Sequence, residues 1–483
     1  MDRSNLYIMV NNALNLPYLE SCDQGRDSFS VPAEWPKDRP MSLVIGRFTP
    51  QGKTPSAQDF STPLKPIRST SCAASMAQIL RMIVLAALFV AGLLYLFHAG
   101  YAHAKGPPPD AGFAKFLQEL WPDAKTQGVS RETFDDAFAG VTPDPSVIAI
   151  TRKQAEFARP IWQYLGGAVT ETRVHKGQEI SAQWKSTLDK VEQRYGVDQN
   201  VVLGVWGMET NFGGAADTHY VIRSLASLAY VRYRGDFFRY ELLIALKILQ
   251  SGQLTKEEMR GSWAGAMGQP QFMPSTFIQY AVDFDGSGSK DIWSNVPDSL
   301  ASMANYLKAH GWIAGEPWGF EVTLPQGFDA SAFDESRYVP VGEFATKGVT
   351  QIDGAPLPAH GNYALMFPAS SHGPAYLITR NFKVIKSYNN SLSYTLAVAI
   401  LADRIAGKPG VQGAWPVHQP QLNEAQCFQM QRQLVRLGYN VGNVDGRVGD
   451  LMREAIRDFQ RKRGLVADGY PTVALLDAMQ KAR

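Results

Sequence analysis

The feature that most restricts the fold is a helical spacing of apolar residues that runs through much of the chain. From about residue 112 to residue 194 the apolar side chains recur every three or four positions, and alternating strand-like patterns are few. The same spacing returns in residues 201–207, 239–249 and 299–310, where glycine ends or follows each segment. The larger, first part of the chain is therefore predicted to be mainly helical.

A change of composition interrupts this helical pattern. Residues 316–380 are rich in proline, glycine and residues that favour strands, so they predict a small strand-rich insertion. A last helix of the first unit is predicted over residues 392–405. The Pro- and Gly-rich residues 409–421 indicate a linker. Residues 422–483 are then predicted to form a compact helical unit near the lower size limit for independent folding.

The segment at residues 76–104 has the layout of a secretory signal. A basic residue precedes a long apolar run, and Ala102 and Ala104 supply the small residues of a cleavage site. An uncleaved membrane anchor is the alternative, because the run approaches the roughly twenty residues that span a bilayer. Residues 1–75 would be a cytoplasmic tail ahead of such an anchor, or an extension upstream of the true initiator, Met76. With either alternative the rest of the chain is expected outside the cytoplasm.

The net charge and the cysteines exclude several kinds of site. A formal net charge of +2 lacks the concentrated positive field of a nucleic-acid-binding protein, so no nucleic-acid partner is expected. Cys22, Cys72 and Cys427 are far apart and form neither a metal-ligand cluster nor a disulfide framework. Cys427, which remains after cleavage of a signal, is expected to be buried and unreactive.

Glu209 is the candidate catalytic residue. It ends an apolar helical run in the segment GVWGMETNFGG, with Val202, Val205 and Trp206 on its own face. An apolar surface and the carboxyl end of a helix both disfavour a carboxylate, so the pKa of Glu209 is expected to be raised. A raised pKa suits a general acid that protonates a glycosidic oxygen. A solvent-exposed glutamate at a helix end fits the same spacing, and no second acid of a glycosidase pair is fixed by the sequence.

Four segments occur in a fixed order along the chain: GVWGMETNFGG, GSWAGAMGQPQFMPSTF, SMANYLKAHGW and SYNNSLSYTLAV. Together they resemble the membrane-bound lytic murein transglycosylase B family over roughly residues 110–410, with Glu209 at the position of that family's sole catalytic carboxylate. The resemblance also implies substrate-contacting residues, which are Arg234, Ser262, Gln271, Tyr306, Tyr388 and Asn389.

One position departs from the family's pattern. A pair of adjacent arginines is expected after the catalytic segment, whereas AYVRYRGDFF supplies only Arg234 and has Tyr233 in the neighbouring place. The contacts made by this part of the cleft are therefore the least well defined by the sequence.

The resemblance implies a mainly α (α+β) fold. Residues 105–408 would form a lysozyme-like helical catalytic domain with a small strand-rich insertion. Residues 422–483 contain DGRVGDLMREAIRDFQ, which resembles the small three-helix peptidoglycan-binding domain of many cell-wall enzymes. The resemblance implies a periplasmic enzyme whose partner is the glycan strand of peptidoglycan. If residues 76–104 are not cleaved, the enzyme would be anchored in the inner membrane.

The implied reaction is cleavage of the β-1,4 bond between MurNAc and GlcNAc, with formation of a 1,6-anhydro-MurNAc end and with Glu209 as acid and then base. No cofactor is required for this reaction. A hydrolytic muramidase on the same scaffold and a non-catalytic wall-binding protein are the alternatives, and the sequence gives no indication of the oligomeric state.

The segment DFDGSGSKDIW begins like a calcium-binding loop. Asp283, Asp285 and Ser287 alternate as the first ligands of an EF-hand-like loop do, and a glycine follows at the sharp turn. The twelfth position is Ser294 rather than glutamate, but Asp298 could supply the missing carboxylate. The segment therefore predicts either a Ca²⁺ site formed by these residues or a polar turn without a metal.

Overall fold

The structure, a computed structural model, describes residues 111–152, 159–215 and 218–481. The predicted extension over residues 1–75 and the predicted signal or anchor over residues 76–104 lie outside the described residues. Within the described ranges no helix combines the length and the apolar character needed to cross a bilayer.

Helices build the first part of the chain, as the spacing of its apolar residues predicted. Two short strands, β1 (His219–Tyr220) and β2 (Arg260–Gly261), pair antiparallel within it. In chain order the helices are α1 (Ala111–Thr126), α2 (Arg131–Phe138), α3 (Pro145–Arg152), α4 (Ile161–Ala168), α5 (Glu171–Gln183), α6 (Lys185–Tyr195), α7 (Gln199–Thr210), α8 (Val221–Tyr230), α9 (Phe237–Gln250), α10 (Pro274–Tyr280) and α11 (Val296–Ala309).

The predicted strand-rich insertion contains β3 (Gly319–Thr323), β4 (Val339–Pro340), a short helix α12 (Val341–Ala345), β5 (Thr350–Gln351), β6 (Asn362–Met366) and β7 (Ala375–Ile378). The strands form an antiparallel sheet with the order β4-β6-β7-β3-β5. Leu365 of β6 pairs with Leu377 of β7, and both face a small core of the insertion itself. The neighbouring Met366 and Tyr376 face the main helical core instead. Both faces of the sheet are therefore covered, which explains its nearly continuous apolar sequence.

Helix α7 lies at the centre of the helical core and is buried along its whole length from residue 201 to residue 210. After α13 (Arg380–Tyr388), helix α14 (Leu392–Ile405) packs along α7. A Cβ atom on Gly204 would lie 2.7 Å from the carbonyl oxygen of Val398, so the close approach of the two helices requires glycine there. The predicted last helix, residues 392–405, is confirmed.

Three helices form the carboxy-terminal unit: α15 (Glu424–Arg436), α16 (Asp450–Lys462) and α17 (Val473–Lys481). They enclose a core of their own, centred on Met430, Ile456 and Met479. Cys427 is buried, as expected, and burial raises the pKa of its thiol to about 11. The predicted mainly α fold with a strand-containing insertion and a small helical domain is confirmed.

The carboxy-terminal unit docks onto the first domain through polar contacts. Arg457 forms an ion pair with Glu335 at 3.1 Å, and Lys386 of α13 forms one with Asp450 at 2.7 Å. The linker between the two domains is also held in place, because the backbone N–H groups of residues 412 and 413 donate to the Glu321 carboxylate at 2.9 and 2.6 Å.

Candidate active site

The position of Glu209 follows from how α7 begins and ends. Asp198 caps the helix by accepting a hydrogen bond from the backbone N–H of residue 200. Asn211 and Phe212 adopt left-handed conformations, with φ of 51° and 58°, and end the helix directly after Glu209 and Thr210. The Glu209 side chain is only 4% exposed. The prediction that it faces an apolar interior is therefore confirmed, and the solvent-exposed alternative is wrong.

Four tyrosine side chains surround the Glu209 carboxyl group. The Tyr394 hydroxyl, on α14, donates a hydrogen bond to Glu209 Oε1 at 2.5 Å. The charge of Glu209 also acts on the phenols of Tyr164, Tyr306 and Tyr388. Within the part of the chain that the structure describes, Glu209 is the carboxylate whose charge acts on all four phenols, so it lies near several neutral hydroxyl groups.

These phenols are held in the protonated form. Burial, reinforced by the Glu209 charge, raises the pKa of Tyr388 and of Tyr394 well above its usual value. Burial raises the pKa of Tyr306 to about 12, against a smaller lowering by its hydrogen bond with residue 387. The pKa of Tyr164 is raised by the same two causes, burial first. At neutral pH these phenols are therefore uncharged: Tyr394 donates its proton to Glu209, whereas Tyr306 and Tyr388 donate theirs to backbone carbonyl groups.

Two of the predicted substrate-contacting tyrosines are fixed by backbone carbonyl groups. Tyr388 donates to the carbonyl oxygen of Pro270 at 2.8 Å, and Tyr306 donates to that of Ser387 at 2.7 Å. Their rings cross at 63° with centroids 4.8 Å apart, and Phe272 packs against both. The predicted Tyr306 and Tyr388 are therefore brought together beside Glu209.

The second sequence motif forms the loop against which the catalytic helix ends. Thr210 donates from Oγ1 to the carbonyl oxygen of Gln269 at 3.1 Å. Gln271 has a left-handed φ of 53°, and its side-chain amide donates to the carbonyl oxygen of Gly268 at 2.9 Å. Ser262 is buried and accepts the backbone N–H of residue 266 at 3.1 Å. Strain at Gln271, where most residues avoid φ > 0, is typical of a functional loop.

Asn389 and Arg234 occupy different surroundings. Asn389 is fully buried at the carboxyl end of α13, directly after Tyr388. Arg234 lies in the turn before α9, with a φ of 58°, and its guanidinium lies 5.8 Å from the centre of the Phe237 ring. Its pKa is lowered by burial and by the positive charge of Arg447 in the carboxy-terminal domain. The position next to Arg234 is filled by Tyr233, which stacks on the ring of residue 238.

Two cationic side chains of α5 meet the carboxyl end of α7. Arg173 is 7% exposed and donates from Nε to Asn211 Oδ1 at 3.3 Å. Lys176 donates to the carbonyl oxygen of Asn211 at 2.6 Å. Positive groups at this end of a helix satisfy its last carbonyl groups and offset its dipole. They also fix the turn that follows Glu209.

The predicted calcium loop brings three carboxylates together. One oxygen from each of Asp283, Asp285 and Asp298 lies within 4.8 Å of the others. Asp298 is fully buried, and burial raises its pKa. Ser287 lies in the same loop, where its backbone N–H donates to Asp283 and Asp285 and its hydroxyl donates to the carbonyl oxygen of Ser289.

The arrangement of a buried glutamate, flanking tyrosines and a helical fold agrees with comparisons to known proteins. Residues 112–403 match the family described as the transglycosylase SLT domain, and residues 423–479 match a peptidoglycan binding domain. The chain belongs to the transglycosylase SLT domain family. It is 34% identical over 245 residues to the membrane-bound lytic murein transglycosylase B of Escherichia coli, a match that covers 49% of this chain and 65% of that protein.

Two solved structures extend the comparison. The crystal structure of SltB3 from Pseudomonas aeruginosa in complex with NAG-anhNAM-pentapeptide is 49% identical and has a TM-score of 0.71; the match covers 76% of this chain and 99% of that one. The Escherichia coli lytic transglycosylase Slt35 in complex with calcium is 28% identical with a TM-score of 0.51, over 61% of this chain and 92% of that one.

Two residues of the site were not identified from the sequence. Tyr394 lies inside the segment SYNNSLSYTLAV, but its role depends on the packing of α14 against α7. Tyr164 belongs to α4, far from the other motifs along the chain. Its buried hydroxyl has no hydrogen-bond partner among the described residues. A signal for Tyr394 did exist, because it follows Ser391, a helix-capping residue, at the start of an apolar helix.

Proposed function

We propose that this chain is a lytic transglycosylase that cleaves the β-1,4 bond between MurNAc and GlcNAc in the glycan strands of peptidoglycan. The observation that carries the proposal is the buried Glu209, which accepts a hydrogen bond from Tyr394 and whose charge acts on three further phenols. The family match and the printed functions of the relatives support the substrate class.

The proposed mechanism uses Glu209 twice. The protonated carboxyl first donates its proton to the glycosidic oxygen, so that GlcNAc leaves as an alcohol while positive charge develops at the MurNAc ring. The resulting carboxylate then takes the proton of the C6 hydroxyl of MurNAc, whose oxygen closes the 1,6-anhydro ring. The substrate supplies the nucleophile and the proton returns to Glu209. No second carboxylate is needed for this sequence, which suits a pocket otherwise lined by phenols.

Tyr394 is proposed to position the Glu209 carboxyl group. Its hydrogen bond to Oε1 fixes the orientation of the carboxyl group that is proposed to exchange its proton with the substrate. The remaining phenols, with Ser262, Gln271, Asn389 and Arg234, are proposed to hold the sugars. A fixed carboxyl orientation matters because the same group must reach both the leaving oxygen and the C6 hydroxyl.

Export to the periplasm belongs to the same proposal. Residues 76–104 resemble a secretory signal, and the carboxy-terminal unit matches a peptidoglycan binding domain. Both features suit an enzyme that meets peptidoglycan outside the cytoplasm. Sequencing the amino terminus of the mature protein tests this point. A start just after Ala104 supports cleavage, whereas an intact amino-terminal extension contradicts it.

Calcium binding at the loop of Asp283, Asp285 and Asp298 is the second part of the proposal. The residues fit the ion, because converging carboxylate oxygens are the ligands that Ca²⁺ prefers, and the backbone N–H groups of Phe284 and Asp291 hold the buried Asp298 carboxylate in place beside the other two. The Slt35 structure in complex with calcium supports the assignment. A bound ion would neutralise the three charges and fix the loop, while catalysis stays with Glu209.

Thermal unfolding tests the calcium site. Calcium is expected to raise the unfolding midpoint of the wild type and not that of Asp298→Asn, while the exposed Asp329→Asn serves as the control and responds as the wild type does. Equal shifts in all three proteins, or no shift with calcium, would contradict the site.

Product analysis of digested sacculi tests the reaction. The expected products carry anhydro ends, which differ from hydrolytic products by one water. Reducing ends would show a muramidase instead. Glu209→Gln is expected to lower turnover by at least about 100-fold while sacculus binding is kept, since a general acid contributes about 10²–10⁴-fold. The exposed Glu257→Gln removes the same charge elsewhere and should retain full activity. Unchanged turnover in Glu209→Gln would refute the assignment.

A further inference from the structure

The turn that carries Arg234 is held in an unfavourable backbone conformation. Arg232, Arg234 and the next residue, Gly235, have left-handed φ angles of 52°, 58° and 63°. Only glycine adopts this conformation readily, because the Cβ atom of other residues crowds the backbone. Residues that keep such a conformation cluster at functional sites. The turn therefore presents Arg234 at one defined place in the first domain.

A second arginine approaches this turn from the carboxy-terminal domain. Arg447 lies three residues before Asp450, whose carboxylate pairs with Lys386 of α13 at 2.7 Å. Three residues span at most about 11 Å, so this ion pair holds the segment of Arg447 close to the first domain. The positive charge of Arg447 acts on both Tyr233 and Arg234. Docking of the carboxy-terminal domain therefore brings a second guanidinium group near that of Arg234.

The loop that carries Arg447 is fixed by the buried side chain of Gln431, which is 1% exposed. The Gln431 amide nitrogen donates to the carbonyl oxygens of Asn443 and Arg447 at 3.1 and 3.0 Å. Its amide oxygen accepts the backbone N–H of Gly446 at 2.8 Å. The backbone N–H of Arg447 also donates to Asp445 Oδ1 at 2.9 Å. The backbone of this loop therefore cannot swing away from the turn of Arg234 without breaking several hydrogen bonds.

The two arginines repel each other unless an anion lies between them. Arg447 is exposed and forms no ion pair within the part of the chain that the structure describes. Asp236, the carboxylate nearest to Arg234 along the chain, pairs with Arg232 at 3.3 Å. A negatively charged ligand would offset the repulsion, and the guanidinium group matches a carboxylate through paired hydrogen bonds. The position of Arg447 therefore suits the binding of a carboxylate.

We propose that Arg447 and Arg234 together bind a carboxylate of the peptidoglycan strand, so that the carboxy-terminal domain completes the cleft. Arg447 then takes the role of the second arginine that was expected in the place of Tyr233. This inference rests on the proposed function, because it takes peptidoglycan as the ligand. A stem peptide supplies the carboxylate, or the lactyl group of MurNAc does where the peptide has been removed.

Isothermal titration of the full chain tests the site, with Glu209→Gln present in every protein so that the strands are bound and not cleaved. Arg447→Gln is expected to weaken the binding of soluble peptide-bearing glycan strands about threefold to tenfold. Binding of a chitin hexamer, which has no carboxylate, should not change. Arg447→Lys keeps the charge without the paired hydrogen bonds and should recover part of the affinity. Because only binding is measured, the result does not depend on the reaction, which product analysis tests separately.

The matched control is Arg463→Gln. Arg463 is exposed and lies at the opposite end of α16, roughly 20 Å from the end that carries Asp450. This substitution removes the same charge from the same domain and should leave strand binding unchanged. Unchanged binding in Arg447→Gln, equal weakening in both variants, or equal weakening toward the chitin hexamer would overturn the proposal.

Thermal unfolding separates a binding role of Arg447 from a structural one. Removing one of two repelling charges should leave the unfolding midpoint of Arg447→Gln equal to or above that of its parent. A lower midpoint, together with unchanged strand binding, would assign Arg447 to domain docking instead and refute the site.

Amidase-treated strands identify the source of the carboxylate, because they lack stem peptides and carry free lactyl carboxylates. If Arg447→Gln binds these strands as its parent does, the site takes a carboxylate of the stem peptide. If the weakening remains, the site takes the lactyl carboxylate.

Discussion

The substitution Gly204→Ala tests whether the contact between α7 and α14 builds the active site. The added Cβ atom would lie 2.7 Å from the carbonyl oxygen of Val398 and 3.3 Å from its Cγ1 atom. An ordinary C···O contact is about 3.3–3.6 Å, so α14 would have to move by roughly 0.6–0.9 Å. Because the added Cβ atom would meet a backbone carbonyl oxygen, rotation of a side chain cannot relieve the clash.

The expected loss in the free energy of unfolding is the difference between an unfavourable and a favourable effect of the added methyl group. Overpacking of a close-packed core costs about 1–3 kcal/mol. Alanine gains about 0.5–1 kcal/mol over glycine in a helix, so the free energy of unfolding should fall by about 0.5–2 kcal/mol. At about 2–4 °C per kcal/mol for a domain of this size, calorimetry should show a midpoint lower by roughly 1–8 °C.

The same displacement should lower activity. Tyr394 is carried by α14 and Glu209 by α7, so the 2.5 Å hydrogen bond between them would lengthen beyond about 3 Å. Loss of about half of a hydrogen bond to a charged group, roughly 1 kcal/mol, corresponds to about a fivefold lower turnover of sacculi. Binding of sacculi, which we assign to the carboxy-terminal domain, should be unaffected.

The matched control is Gly166→Ala. Gly166 is an exposed helical glycine in α4, and an added Cβ atom there meets nothing within 4 Å. This substitution should raise the free energy of unfolding by up to about 1 kcal/mol. A Gly204→Ala protein with the midpoint and turnover of the wild type would refute the described contact between α7 and α14.

Three further predictions concern single side chains. Tyr394→Phe should lower kcat on soluble glycan strands about 10- to 100-fold with little change in KM, because it removes the hydrogen bond to Glu209 and no proposed sugar contact. Burial raises the pKa of Tyr306 to about 12, so the folded state keeps a proton that the unfolded state releases above pH 10, and stability falls as the pH rises from 10 to 12. In urea titrations Tyr306→Phe should show a smaller fall over this range, by up to about 3 kcal/mol. Arg457→Met should leave Glu335 without its partner and weaken the docking of the carboxy-terminal unit onto the first domain by about 1–3 kcal/mol. Proteolysis within residues 409–421 should then be faster, and an unchanged rate would contradict this.

The helical part of the fold was predictable because local periodicity determines it. The spacing over residues 112–194 and 392–405 reflects helices that bury one or more faces, and each such helix keeps its apolar positions three or four apart. The strand-rich insertion was predictable from its composition, because residues 316–380 combine proline and glycine with residues that favour strands. Its strands β6 and β7 are largely apolar because both faces of the sheet are covered there.

The phenols around Glu209 were harder to predict because they come together only through tertiary packing. Tyr164 and Tyr394 lie on α4 and α14, and helical spacing places an aromatic residue in a core far more often than in a site. Gly204 gave a usable signal. A glycine inside an otherwise good helix costs stability, so its presence indicates a close approach by another element.

The arginines of α16 show a second limit of local patterns. Arg453 and Arg457 lie one turn apart, an arrangement that predicts a solvated charged face. In the structure they are only 9% and 8% exposed, because Arg453 donates to the carbonyl oxygen of Pro368 at 3.2 Å and Arg457 pairs with Glu335. The aliphatic stem of arginine packs while its planar guanidinium keeps its hydrogen bonds, so a charged stripe can be an interface.

Helix α13 contacts both the carboxy-terminal domain and the pocket around Glu209, and these two sets of contacts differ in strength. Lys386 binds Asp450 of the carboxy-terminal domain, whose side chain is 56% exposed, and such a pair contributes about 1 kcal/mol or less. Two residues further on, Tyr388 is held by a fully buried hydrogen bond to Pro270 and by ring packing against Tyr306. Breaking a buried hydrogen bond costs about 1–3 kcal/mol before any packing is lost. The outer ion pair would therefore break first, and movement of the wall-binding domain should leave Tyr388 in place beside Glu209.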